Sequence, residues 1–273
     1  MPIACSKRWA WPSSKDRTMS RPGWPRPSSF LGLALLAFGV VGQVHARDAL
    51  WNIVQGPCGQ ARGNAPVFPC VAVDARQSMR SAVLKDKKGD FQYLLVPLDR
   101  VPGMEDPRLG RGVLPNYFAQ AWAARGFVEG AAGQGIAREH ISLAINSSVA
   151  RSQDQLHIHI DCLSPDAKRW LATLHPQRFR SGWKAVRPHF KGHRYRAHFV
   201  VGAALEQDPF HSLRQAVGGK GLGHRSLAVV GYGRPGLEGF WLLSSRADET
   251  RGDRGEGEEI QDHRCSVLDR ERH

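Results

Sequence analysis

Two stretches of alternating polar and apolar residues stand out. Residues 153–162 run Gln-Asp-Gln-Leu-His-Ile-His-Ile-Asp-Cys, and side chains two apart on a strand share a face. A strand here lines Gln155, His157, His159 and Asp161 along one side and Leu156, Ile158, Ile160 and Cys162 along the other. Upstream, Ile141, Leu143 and Ile145 alternate with Ser142, Ala144 and Asn146. The loop 147–152 joins the two, so they are expected to pair as a hairpin with more than the tightest turn.

The same reading extends along the chain. Strands are expected at 81–84 and 91–98, parted by the polar cluster Lys85-Asp-Lys-Lys-Gly-Asp, with Pro97 marking a strand end or edge. Pro115 suits a first helical turn, and Phe118, Ala121 and Trp122 recur at helical spacing until Gly126 or Gly130, an aromatic stripe read as core. A short helix is expected at 166–174, a strand at 195–201, a helix at 209–216, and strands at 227–232 and 240–243. Residues 48–53 read as a short helix or turn and 56–69 as a Gly/Pro/Cys-rich loop. The run Gly218-Gly-Lys-Gly-Leu-Gly lacks the ending of a phosphate loop and reads as a flexible connection. Charge and glycine make 251–258 a mobile loop, with a frayed tail over 266–273. The pattern predicts an α+β fold: an antiparallel sheet containing the His strand, flanking helices, and a second, divergent half of similar make-up.

Composition narrows the setting. With 273 residues, 41% hydrophobic and 23% charged, the chain can bury one substantial core or two modest ones. Of the net charge of +13, residues 1–46 carry +5 and the remainder +8. A basic surface favours nucleotide phosphates, acidic lipids or nucleic acid, but no aromatic-basic repeat, zinc-finger spacing or helix-turn-helix cue supports nucleic acid as a partner. Residues 1–46 read as a targeting segment: a basic stretch, an apolar run over 30–42, then Val44-His45-Ala46. That run falls short of the roughly 20 residues of a spanning helix, which favours a cleaved signal; Met19 is an alternative start. Residues 47–273 are then the exported domain. Beyond Cys5, the four cysteines fit two disulfides in an exported chain. Three pairings exist, and the favoured one joins Cys58 to Cys70 and Cys162 to Cys265; four free thiols are the alternative.

Two imidazoles on one strand face admit three readings. They can be hydrogen-bonded parts of a polar sheet face. They can chelate a metal, with Asp161 on the same side. Or one can attack phosphorus while neighbours hold the phosphate oxygens. The small residues Ser142 and Ala144 leave room beside the rings, and Asn146, Arg151, Ser152 and Gln155 offer donors for phosphate oxygens.

The run from Asn146 to Ile160 resembles the signature of the histidine-triad superfamily, in which histidines alternate with apolar residues behind an Asn and a Ser. More narrowly, Leu94-Leu-Val-Pro, Pro115-Asn-Tyr-Phe, Ile141-Ser-Leu-Ala-Ile-Asn, His157-Ile-His-Ile-Asp-Cys, Gly192-His-Arg-Tyr and Glu259-Ile-Gln-Asp-His-Arg-Cys together resemble the bacterial CDP-diacylglycerol pyrophosphatase family. The resemblance implies hydrolysis of a lipid nucleotide to CMP and phosphatidate at the inner membrane, with the catalytic domain in the periplasm; a covalent step on histidine replaces a metal-activated water, so no cofactor or metal is expected. It also implies an N-terminal membrane helix, against the cleaved signal favoured above. His157 matches the superfamily's nucleophile and His159 its last histidine, while Gln155 replaces the first. A glutamine can orient a neighbour but cannot relay a proton at neutral pH as imidazole does. Asn146, Arg151, Ser152, Gln155 and His159 are the expected phosphate contacts, and Tyr93 or Leu95 the candidate neighbours of the base. His193 and His263 fall in matching blocks without an assigned role. Two alternatives remain: a hydrolase or transferase for soluble nucleotides, and an exported metal-binding module using His157, His159 and Asp161.

Overall fold

The alternating segments assemble into one twisted sheet. The computed structural model describes residues 47–61 and 67–269. The targeting segment, its two possible starts and the final four residues lie outside them. The strands are β1 (Cys70–Asp74), β2 (Ser81–Lys85), β3 (Tyr93–Pro97), β4 (Ile141–Ile145), β5 (Ile158–Cys162), β6 (Lys184–Ala185), β7 (Tyr195–Val201), β8 (Leu227–Arg234) and β9 (Leu237–Ser245). They lie in the order β1-β2-β3-β5-β4-β8-β9-β7-β6, and every pairing is antiparallel. The fold is α+β, and the C-terminal strands extend the first sheet rather than building a second one.

The expected hairpin forms, with Leu143 opposite Ile160 and Ala144 opposite His159. Its second strand starts later than alternation suggests, at Ile158. β3 ends at Pro97, which has no N–H to continue a ladder, and the side chain of Gln155 takes over. Its Nε2 donates to the carbonyls of Pro97 (3.0 Å) and Asp99 (2.8 Å), and its Oε1 accepts from the N–H of Val101.

Helices cover the sheet unequally. On one face α2 (Tyr117–Ala123), α3 (Gly126–Ala132) and α5 (Pro209–Ala216) pack Phe118, Trp122, Val128 and Phe210 against Leu95, Leu143, Ile158, Val229 and Phe240. Asn116 caps α2 by accepting from the N–H of Ala119, so Pro115 lies just outside the helix. Gly126 opens α3 instead of ending the pattern; Gly133, in the left-handed region at φ +68°, stops it. The other face carries two separate cores. One, under α1 (Ala49–Ile53), contains Leu50, Val54, Leu84, Leu94 and Val96. The second, under α4 (Pro165–Ala172), contains Trp170, Phe179, Tyr195 and Trp241. β5 runs between them, and its polar face fills the gap.

Other expectations need revision. The chain continues in a wide helical turn through Val54–Cys58, Pro57 included, so the loop expected from 56 starts later; residues 62–66 lie outside the described ones. β1 escaped the pattern because an edge strand shows only weak alternation. The segment 251–258 is no free loop: Ser147 donates to the carbonyl of Gly255, and Gly257 lies so close to β4 that an added Cβ would stand 2.4 Å from the carbonyl of Ile145. The expected frayed tail is likewise held down as far as it is described, because Val267 and Leu268 are buried in the main core. The favoured cysteine pairing is formed, Cys58 with Cys70 and Cys162 with Cys265. Among the described residues no helix is long and apolar enough to cross a membrane.

Candidate active site

The gap between the two cores gathers polar groups from four distant parts of the chain. His157 stands just before β5, 9% exposed, its ring edge-on to that of His159 with centroids 4.9 Å apart. Its Nδ1 lies 2.7 Å from the carbonyl oxygen of Gln155. A carbonyl only accepts, so Nδ1 carries the proton and Nε2 keeps a lone pair. Burial pushes the imidazole pKa below its ordinary value, which keeps that lone pair available at neutral pH.

His159 takes the opposite tautomer. The amide Nε2 of Gln92 is 3.0 Å from its Nδ1 and donates to it, leaving the proton on Nε2. Burial lowers its pKa to about 3, so the ring is neutral. Its Nε2 is 3.1 Å from Oε1 of Glu258, off the line of a good hydrogen bond and without another partner. The pair is a polar contact of a neutral ring, not an ion pair.

Glu258 arrives on the 3-10 turn Gly257–Ile260 and is held from both ends by Asn146. The Asn146 amide donates to Oε1 (2.5 Å), and its Oδ1 accepts from the Glu258 backbone N–H (3.2 Å). Although burial works against its charge, this carboxylate stays below its ordinary pKa, the Nε2–H dipole of neutral His159, the Lys88 charge and the Asn146 and Gln92 amides all favouring the anion. Further along the strand Asp161, fully buried, meets Nδ1 of His263 at 2.6 Å. Gln261 closes the floor, donating to the carbonyls of Ser142 and His159.

The residues expected from sequence fare differently. His157, His159 and Asn146 come together. Gln155 contributes its backbone carbonyl to His157, its side chain being committed to residues 97–101. Arg151 is pinned by Glu105 (2.6 and 2.8 Å) and Asp154 (3.0 and 3.1 Å), near enough for its charge to bear on His157. Ser152 is exposed on the loop leading to His157. Tyr93 and Leu95 point to the far face of the sheet, into the main core; the β3 residue paired with His159 is Leu94. The open space expected beside Ser142 and Ala144 is taken up, since both are fully buried and Gln261 bonds to the backbone there. A surface hollow of about 540 Å³, lined by Arg180, His198, Gly202 and Glu206 among others, contains none of the expected site residues. The one group of three possible metal ligands among the described residues is Asp161, Cys162 and Cys265, and its two cysteines are joined in a disulfide. His157, His159 and Asp161 do not converge as a ligand set.

Sequence reasoning missed Gln92 and Glu258. Gln92 sits at a strand entrance where polarity is unremarkable. Glu258 lies one residue before a block that had been matched, inside a segment whose charge and glycine content suggested mobility.

Comparison with known proteins bears on this arrangement. A family model described as CDP-diacylglycerol pyrophosphatase matches residues 45–269. A protein of Yersinia pestis named CDP-diacylglycerol pyrophosphatase is 38% identical over 246 residues, covering 88% of this chain and 93% of its own. A Mycobacterium leprae (strain TN) protein named probable CDP-diacylglycerol pyrophosphatase is 37% identical over 228 residues, 82% of each chain. With the match running from before α1 to beyond Cys265, the chain belongs to the CDP-diacylglycerol pyrophosphatase family, a family of hydrolases.

Proposed function

We propose that the protein hydrolyses CDP-diacylglycerol to CMP and phosphatidate through a nucleotidyl-histidine intermediate on His157. The observation that carries this reading is the bond from His157 Nδ1 to the Gln155 carbonyl, which leaves Nε2 unprotonated on a ring that packs against His159. Nε2 attacks the cytidine-side phosphorus, and the bond to the bridging oxygen breaks. Phosphatidate leaves with that electron pair. Water then attacks the same phosphorus, the P–N bond breaks, Nε2 recovers its lone pair and CMP departs.

The other groups have supporting roles. Asn146 and the Nε2–H of His159 donate to phosphoryl oxygens as negative charge develops on them. Arg151 and Ser152 lend charge and a donor at the mouth of the site, and Gln155 fixes the approach to β5. Glu258, the carboxylate whose charge bears on both rings, accepts the proton of the attacking water. The scheme requires no divalent metal.

Residues 47–273 form the exported catalytic domain, and the two disulfides support export. The segment 1–46 delivers it to the inner membrane, as an anchor or a cleaved signal. The test is mass spectrometry of protein quenched during turnover. A CMP-sized adduct on the peptide containing His157 is expected; turnover by a folded His157→Ala variant at the wild-type rate would overturn the reading.

A further inference from the structure

The positive charge of this chain is concentrated. Residues 167–205 contain nine Lys or Arg and no Asp or Glu; with the +5 of residues 1–46 they exceed the net +13, leaving −1 on everything else. In the fold, residues 175–196 wrap the open edge of the sheet. They comprise the 3-10 turn Pro176–Phe179, edge strand β6, the tight Phe190 to His193 bridge and the start of β7. Phe179, Val186, Phe190 and Tyr195 are buried and anchor the segment, so Arg178, Arg180, Lys184, Arg187, Lys191 and Arg194 are turned outward and exposed.

These six side chains form no ion pair among the described residues. The crowding continues where Arg225 faces Arg246 across an isolated antiparallel bridge, an arrangement of like charges that disfavours the sheet. Arg225 Nε is buried without a hydrogen-bond partner. A charged edge guards against pairing with another chain, but a two-residue strand needs one lysine for that, not a ridge of six cations. The ridge also reaches the turn that carries Glu258. Lys191 Nζ donates to the Glu259 carbonyl, while His193 and the Tyr195 hydroxyl bind the Glu259 carboxylate. Glu259 is the neighbour of Glu258.

We propose that residues 175–196 are a docking surface for the anionic headgroups of a lipid bilayer, seating the enzyme with the Glu258 side of its site near the membrane. The inference rests on the reading above that the substrate is a lipid nucleotide, and it names the surface on which that substrate is met. Lys and Arg at such a surface are attracted to acidic lipid, and salt screens the attraction within about 10 Å at 0.1 M.

Hydrogen exchange on the full-length protein tests the idea directly. Mixed phosphatidylglycerol and phosphatidylcholine vesicles should protect peptides spanning 175–196, and pure phosphatidylcholine vesicles should not. The second arm is the variant R178E/R180E/K184E/R187E, all exposed positions. At low salt its hydrolysis of CDP-diacylglycerol embedded in the anionic vesicles should fall at least about tenfold. Its rate on a water-soluble, short-chain CDP-diacylglycerol should match wild type. Three results would each overturn the proposal: no vesicle-dependent protection of 175–196, equal loss on both substrates, or protection by single-stranded nucleic acid in place of vesicles. If wild type hydrolyses neither substrate, the assigned reaction fails, while the exchange experiment still decides whether the ridge docks.

Discussion

Glu258 sits within contact of His159 and is clamped at both its backbone and its carboxylate by Asn146. If it takes the proton of the attacking water, Glu258→Gln should slow the second half-reaction more than the first. The expected outcome is a kcat lower by about 10²–10⁴, with the CMP adduct on His157 more abundant in quenched samples than in wild type. His157→Ala should lose nearly all turnover with its melting temperature close to wild type. The pH profile follows from the tautomer and burial of His157. In the proposed reaction its neutral form attacks, and its pKa lies below the ordinary imidazole value. On that account kcat/KM should be flat around neutrality and fall only below the ordinary histidine range as the pH drops; a profile falling already above pH 7 on the acid side would contradict it. The histidine pair was legible from the chain alone because a period of two forces both rings to one side. The tautomers were not legible, since they depend on a carbonyl at Gln155 and an amide at Gln92 that only folding brings into place.

At the scale of elements, the turn at Gly257 decides where Glu258 stands. An added methyl at this position meets the backbone carbonyl of Ile145 at 2.4 Å, and backbone cannot swing aside as a side chain can. Gly257→Ala is therefore expected to displace the turn, reduce kcat/KM by about tenfold or more and lower the melting temperature. Steady-state kinetics beside a thermal melt would check it. The strongly periodic elements were readable: Tyr195–Val201 and Pro209–Ala216 fall where alternation and helical spacing put them. The segment 251–258 was not, for a physical reason. Its order comes from hydrogen bonds to Ser147 and Asn146, more than a hundred residues away, and no local pattern encodes contacts at that range.

The whole molecule depends on two long-range devices. The Cys162–Cys265 disulfide spans 103 residues, for which the chain-entropy model gives about 4.7 kcal/mol. A Cys162→Ala/Cys265→Ala variant should unfold at lower urea concentration and lose activity as Glu258 and His263 drift from β5; a variant with wild-type midpoint and rate would show the bridge to be dispensable. The second device is burial of neutral imidazole. His159 has its pKa lowered to about 3 in the fold, whereas the unfolded chain takes up that proton near pH 6.5. Between those values the unfolded state binds more protons, so the stabilisation present above pH 6.5 is lost as the pH falls toward 3. The urea midpoint should decrease from pH 7 to pH 5, and His159→Gln should show a smaller decrease.

The groups around His157 come from positions 92, 146, 159 and 258, and the last lies seven residues before Cys265, which is bonded to Cys162. No short fragment of the polypeptide contains all of these groups, and a ribosome-bound chain still lacking its final coil has His157 without Glu258. Competence is thus the last property this molecule acquires. Synthesis must reach the C-terminal turn first, and where the Cys162–Cys265 bridge cannot form, that turn lacks its covalent tie to β5.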